Sequence, residues 1–227
     1  MTRRPRPRAR DTGARAATAP PRGILYVPHV FETSGSDERE YDLFSRLLKD
    51  RIIFLGAEIT DHVANLVVAQ LLFLQTEDKK RDVSIYLNSP GGYVTAGFAI
   101  FDTMRFVQCD VATFCIGAAS SMAAVLLAGG TKGKRFILPH ARVMIHQPWG
   151  SAKGTASDIG IHAREIVAMK QRVNEVLAGC TGRTVAEVAA ATDRDRYLDA
   201  TEALKFGLVD EVVESLRAKV PAREERS

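Results

Sequence analysis

Cysteine is scarce and scattered in this chain: Cys109, Cys115 and Cys180 are an odd number without CxxC spacing. That argues against a disulfide framework and a thiolate zinc site, and it fits a reducing compartment. Long apolar runs are missing too. No uninterrupted stretch reaches the roughly 18 residues a membrane span needs. An ATP-binding loop is also absent. GGTKGKR (129–135) imitates one, but the phosphate-cradling pattern needs glycine where Ala128 stands and Ser or Thr where Arg135 stands. Acidic residues are scarce at one end only. Residues 1–22 hold seven arginines against one acid, Asp11, for a charge of +6, which leaves −2 of the chain's +4 for the rest. The overall basicity therefore does not mark a nucleic-acid surface.

That same segment, MTRRPRPRARDTGARAATAPPR, has four of the nine prolines and no hydrophobic period. It reads as a disordered Arg/Pro-rich propeptide or leader over 1–23, without the apolar core of a secretory signal. From residue 24 to 216 the pattern is that of one globular domain, and 217–227 reads as a flexible charged tail. The 227 residues, 46% hydrophobic and 26% charged, suffice for one sizeable core.

Periodicity predicts helices over 39–49, from a Thr60/Asp61 cap through Gln75, over 93–106, 122–128 and about 157–177, and from Asp199 to a stop at Gly207. Thr184 with Glu187 has capping-box spacing and opens a further short helix. Apolar runs predict strands at 52–55, 82–87, 111–116, 135–138, 142–145 and 209–213. Strands separated by helical segments imply an α/β domain with a largely parallel sheet and right-handed crossovers.

The richest stretch is DVATFCIGAASSM (110–122): a buried strand, a tight turn at small residues, and a helix whose start carries Ser120 and Ser121. First-turn amides lack internal partners and bear partial positive charge, so a serine there can attack a carbonyl while amides receive the oxyanion. Serine is also a favoured N-cap, and spacing does not choose between the two serines. A base is needed. His29, His62 and His162 read as surface residues and His140 as a turn residue. His146 ends an apolar strand, RVMIHQP, where open α/β sheets assemble sites. An orienting acid is available in TDRDRYLDA, where Asp193, Asp195 and Asp199 remain alternatives. Pro90-Gly91-Gly92 follows a strand, where glycines free the backbone to present amides.

The ordered set NSPGG, GAASSMAA, KGKRFILPHARVMIHQP, DIGIHAREI and TDRDRYLDATEALKFGLVD resembles the proteolytic subunits of the Clp protease family, over about residues 26–215. The resemblance implies a ClpP/crotonase-like fold of stacked ββα units with a protruding handle helix around 157–177. It implies a serine endopeptidase with Ser121 as nucleophile, His146 as base, Asp195 as acid, and the amides of Gly92 and Met122 as oxyanion donors. It further implies two stacked heptameric rings, homomeric or mixed, that enclose a chamber for unfolded proteins. Asp193 and Arg194 would sense ring contact, and Tyr86, Phe106, Phe136 and Leu138 would dock a hexameric AAA+ unfoldase. No metal or cofactor is implied, since ATP would be hydrolysed by that partner; neither nucleic acid nor membrane is expected as a partner.

The resemblance also implies that the leader is lost by self-processing, between about residues 15 and 25. Composition and the missing signal suggest a bacterial cytoplasm, with a mitochondrial matrix second. The chain departs from the family pattern at Ser120, commonly alanine, and at the preceding GAA, commonly GQA. Two other expectations compete: a structural or regulatory subunit of a mixed ring, and an acyl-CoA enzyme of the crotonase group.

Overall fold

A computed structural model of the chain describes residues 27–34, 37–151 and 153–215. The leader over 1–23 and the tail over 217–227 lie outside the described residues. The chain divides into two compact units, the first ending at Leu43 and the second beginning at Phe44.

In the first unit, strands β1 (His29–Ser34) and β2 (Asp37–Asp42) pair antiparallel, from His29 opposite Asp42 to Ser34 opposite Asp37. The Leu43 amide closes this hairpin by donating to Pro28 O at 3.0 Å. His29 Nδ1 lies 2.6 Å from Glu40 Oε1. This corrects the expected helix over 39–49. Arg39, Glu40, Tyr41 and Asp42 carry no apolar i, i+3 stripe, so pairing with β1 wins, and helix α1 covers only Leu43–Lys49.

The second unit is built on a seven-stranded sheet. Strands β3 (Ile52–Leu55), β4 (Val83–Ser89), β5 (Val111–Ser120), β6 (Arg135–Ile137) and β9 (Glu211–Val212) lie side by side and parallel. Strand β7 (Arg142–Ile145) joins the far end of β5 in parallel, and β8 (Arg196–Leu198) pairs antiparallel with β7. β5 is ten residues long and runs through Gly117, where a break was expected. Its first half pairs with β6 and its second half with β7. Strand β8, three residues long, was not expected at all.

Helix α2 (Asp61–Glu77) starts where Thr60 Oγ1 accepts the Val63 amide. It buries Ala64, Val67, Leu71 and Leu74 at helical spacing. Helix α3 (Val94–Phe106) contributes Ile100, Phe101 and Met104. Helix α4 (Met122–Ala128) is buried at every residue and wholly apolar, so it is the centre of the core. Burying a Leu side chain contributes about 1.5–3 kcal/mol, and α4 buries Leu126 and Leu127 side by side.

Helix α5 (Ala156–Thr181) is longer than expected at both ends. Thr155 and Asp158 form a capping box at its start, and Gly182 ends it in the left-handed conformation. Helices α6 (Val185–Thr192) and α7 (Ala200–Phe206) carry capping boxes at Thr184/Glu187 and Asp199/Glu202.

This mixed α/β architecture with a mostly parallel sheet is consistent with the ClpP/crotonase-like fold. A buried polar junction ties its far end together. The Arg135 guanidinium pairs bidentately with Asp210 (Nε–Oδ2 2.8 Å, Nη2–Oδ1 2.6 Å) and donates to the C-terminal carbonyls of Ala128 and Cys180.

Candidate active site

Strand register brings the chemistry together. β5 ends with Ser120 opposite Met144 of β7, and the Ser121 amide then donates to Met144 O at 2.8 Å. β7 pairs antiparallel with β8 so that Ile145 faces Arg196. One step further along each strand, His146 and Asp195 face each other. Three segments far apart in sequence thus end at one point.

There, Ser121 Oγ lies 2.9 Å from His146 Nε2, and His146 Nδ1 lies 2.9 Å from Asp195 Oδ1. A carboxylate can only accept, so Nδ1 carries the ring proton and donates it to Asp195. That leaves the Nε2 lone pair to accept the Ser121 hydroxyl. The imidazole is mostly shielded and the Asp195 side chain is 59% exposed.

Ser121 has φ 55° and ψ −123°, a conformation that non-glycine residues rarely adopt. It turns the chain from strand into helix within one residue and aims the hydroxyl at His146. Ser120 is still a strand residue. The Met122 amide opens α4 and has no intrahelical acceptor.

The facing turn is shaped by its own side chains. Ser89 Oγ donates to Ala57 O at 2.6 Å and accepts the Gly91 amide at 3.2 Å. Asn88 Oδ1 accepts the Ala118 amide. The short parallel bridge to Ile59 uses Gly91 O and the Tyr93 N–H, so the Gly92 N–H points away from Ile59 and stays out of that pairing. Only glycine fits at 91: its φ is 93°, and a Cβ would lie 2.5 Å from Ser120 O and 2.7 Å from Ser121 Cβ.

An apolar recess opens beside the hydroxyl, lined by Val94, Met122, Val125, Ile145, Val173 and Leu177. A wider cleft shares Ser121 and His146 and is flanked by Pro90, Gly91, Gly92, Tyr93 and Trp149.

The other acids of TDRDRYLDA do different work. Asp199 caps α7. Asp193 Oδ1 lies 3.8 Å from Lys170 Nζ, and its Oδ2 lies 3.8 Å from Arg194 Nε. Arg194 is otherwise exposed. Gln147, which sequence reasoning passed over, ties His146 to this loop: its backbone N–H donates to Thr192 O at 2.6 Å and its side-chain Nε2 to Asp193 O at 2.7 Å. Its signal was its place directly after His146. His62, His140 and His162 are exposed and outside the site.

Tyr86 and Phe136 lie on one sheet face, stacked on either side of Phe114 at centroid distances of 4.7 and 4.8 Å. Phe114 was missed, although β4–β5–β6 register puts all three in one row. Leu138 lies just past β6 and is exposed, and Phe106 ends α3 with 74% exposure, outside that row. Among the described residues no group of three His, Cys, Asp or Glu side chains is placed to hold a metal ion. No described helix is long and apolar enough to cross a membrane.

Residues 35–216 match the family model for Clp protease. The chain belongs to the Clp protease family. It is therefore a proteolytic subunit, and the match includes every residue of the site described above. Members of the Clp protease family are generally ring-forming peptidases that work with Clp ATPases.

Proposed function

We propose that this Clp protease family chain is a serine endopeptidase subunit that cuts unfolded polypeptides into small peptides. The observation that carries the reading is the relay of two 2.9 Å contacts from Ser121 through His146 to Asp195. His146 takes the Ser121 proton as the hydroxyl attacks the scissile carbonyl, and Asp195 steadies the imidazolium. The amides of Gly92 and Met122 receive the oxyanion; one such donor is worth about 10²–10³ in kcat. His146 then protonates the leaving amine, and water attacks the acyl-serine with His146 again as base. No metal or cofactor takes part. The wider cleft beside Ser121 takes the P1 side chain against the apolar floor formed by Val94, Met122 and Ile145.

In this reading the subunit works within two stacked heptameric rings, homomeric or mixed, at the chamber wall. A hexameric AAA+ unfoldase feeds the chamber and hydrolyses ATP. It docks on the aromatic row of Tyr86 and Phe136 together with Leu138 and Phe106. Asp193 and Arg194 couple contact between rings to the loop that carries Asp195, and Gln147 transmits that coupling to His146. The compartment is a bacterial cytoplasm.

The test is peptide hydrolysis by the purified chain, alone and with candidate ring partners, alongside sizing. Hydrolysis by a particle of seven or fourteen subunits that disappears in Ser121→Ala supports the reading. Full activity from a stable monomer would contradict the chamber, and hydrolysis retained in Ser121→Ala would contradict the nucleophile.

A further inference from the structure

The cleft beside Ser121 has two compartments of different chemistry. The inner recess, walled by Val94, Met122, Val125, Ile145, Val173 and Leu177 beside His146 and Pro148, has free volume of only about 10 Å³, so it gives the cleft an apolar floor rather than a deep pocket. The adjoining compartment is lined by Glu58, Tyr93 and Trp149. Trp149 is 85% exposed and Tyr93 59% exposed, so two large ring faces at the mouth of the site are left to water. Rings that do not serve the core and sit beside a reacting hydroxyl are suited to grip a ligand, since they offer wide contact at small cost in side-chain entropy.

Among the described residues, Glu58 is the only carboxylate lining this cleft. It is exposed and forms no ion pair among the described residues. Its position is fixed by the backbone: Ile59, the next residue, donates its amide to Gly91 O at 2.8 Å and accepts from Tyr93, so Glu58 is anchored beside the glycine turn. A carboxylate and two aromatic faces around one space attract the same class of group, a cation on a long apolar stem. The quadrupole of each ring favours it, and Glu58 supplies its counter-charge.

We propose that this compartment is a subsite for a basic side chain, lysine or arginine, of the peptide substrate, adjacent to the apolar P1 residue. The proposal rests on the peptidase reading and adds a preference to it. It makes Glu58, Tyr93 and Trp149 specificity-determining residues that take no part in proton transfer.

Trp149 is the only tryptophan of the chain, so its emission reports directly on this compartment. The experiment uses the full chain carrying Ser121→Ala, which holds peptides without cutting them. Two sets of peptides with leucine at P1 are titrated, one varied before P1 and one after it, with lysine, norleucine or glutamate at the varied place. In one of the sets the lysine peptide is expected to change Trp149 emission with about fivefold lower Kd than its norleucine twin, with the glutamate peptide weakest. Adding Glu58→Gln is expected to shrink that ratio to under about twofold. Equal Kd values for lysine and norleucine in both sets, or a preference that survives Glu58→Gln, overturns the subsite. If the wild-type chain still hydrolyses these peptides, the peptidase reading stands without it. No emission change with any peptide, combined with no hydrolysis by the wild-type chain, overturns both.

Discussion

Gly91 packs against Ser121 so closely that it cannot be enlarged: a Cβ on Gly91 would lie 2.7 Å from Ser121 Cβ and 2.5 Å from Ser120 O. The glycine turn after β4 and the serine turn after β5 are therefore packed as one unit, with the Gly92 and Met122 amides at their junction.

Gly91→Ala must push these turns apart or strain a residue at φ 93°. Displacing reacting groups by about 1 Å can cost 10²-fold in rate. We expect kcat/KM to fall by about 10² or more while circular dichroism and sizing stay those of the parent. An active Gly91→Ala chain would show that the turn tolerates the shift and that its geometry is not critical.

Gln147 joins His146 to the loop that carries Asp195 through its backbone N–H, 2.6 Å from Thr192 O, which alanine would keep, and its side-chain Nε2, 2.7 Å from Asp193 O, which alanine would lose. Its side chain bonds to Asp193 and to neither Ser121 nor Asp195, so it is a positioning residue. Gln147→Ala is expected to lower kcat about tenfold with KM little changed, since the acid loses a tether while the peptide cleft is untouched. A change confined to KM would assign Gln147 to substrate binding instead.

The Arg135–Asp210 pair gives a stability prediction with a pH signature. Burial raises the Asp210 pKa, but Arg135, together with the Gly133 and Arg135 amides, more than offsets this, and the carboxyl is held below its ordinary value. Because the folded-state pKa is the lower one, the stabilisation is fully present above the unfolded pKa of about 3.9 and is lost as pH falls through the folded value. Asp210→Ala leaves the guanidinium buried and unpaired, and we expect a loss of about 3 kcal/mol, at the lower end for a broken buried pair. Urea titrations of both proteins near neutral pH and below pH 4 should show the gap closing on the acid side. A constant gap would place the loss elsewhere than in the ion pair.

Burial pushes the Cys115 thiol up to about 11. The side chain is fully enclosed within β5. Cys115 should therefore resist a thiol-disulfide reagent at pH 8 in the folded chain and react once urea unfolds it. Rapid modification of Cys115 in the native protein would indicate that β5 opens.

The parts of this architecture legible in the sequence are those with local causes. Asp82–Leu87 reads as a strand because Val83, Ile85 and Leu87 alternate inward, and Val111–Ile116 because it is a nearly unbroken apolar run. Thr184 with Glu187, and Asp199 before Gly207, marked helix ends because capping is a contact between near neighbours. What escaped depends on distant partners. Asp37–Asp42 is a charged segment that becomes a strand only through pairing with β1, and Arg196–Leu198 is too short to show a period. The same division holds for the site. Local spacing left Ser120 beside Ser121 and three aspartates open, and resemblance to a family chose among them. In the structure the deciding contacts follow from register, Ile145 opposite Arg196 and Ser120 opposite Met144, which no local pattern encodes. Glu58 and Trp149 carried no signal, because their shared cleft exists only after β4, β5 and β7 assemble.

The most direct measurement is labelling of the assembled protein with a serine-directed fluorophosphonate, followed by peptide mapping. The expected result is a single adduct on Ser121, lost in Ser121→Ala and strongly reduced in His146→Ala. An adduct on Ser120, or none on either serine in the assembled particle, would contradict the relay from Asp195 through His146 to Ser121.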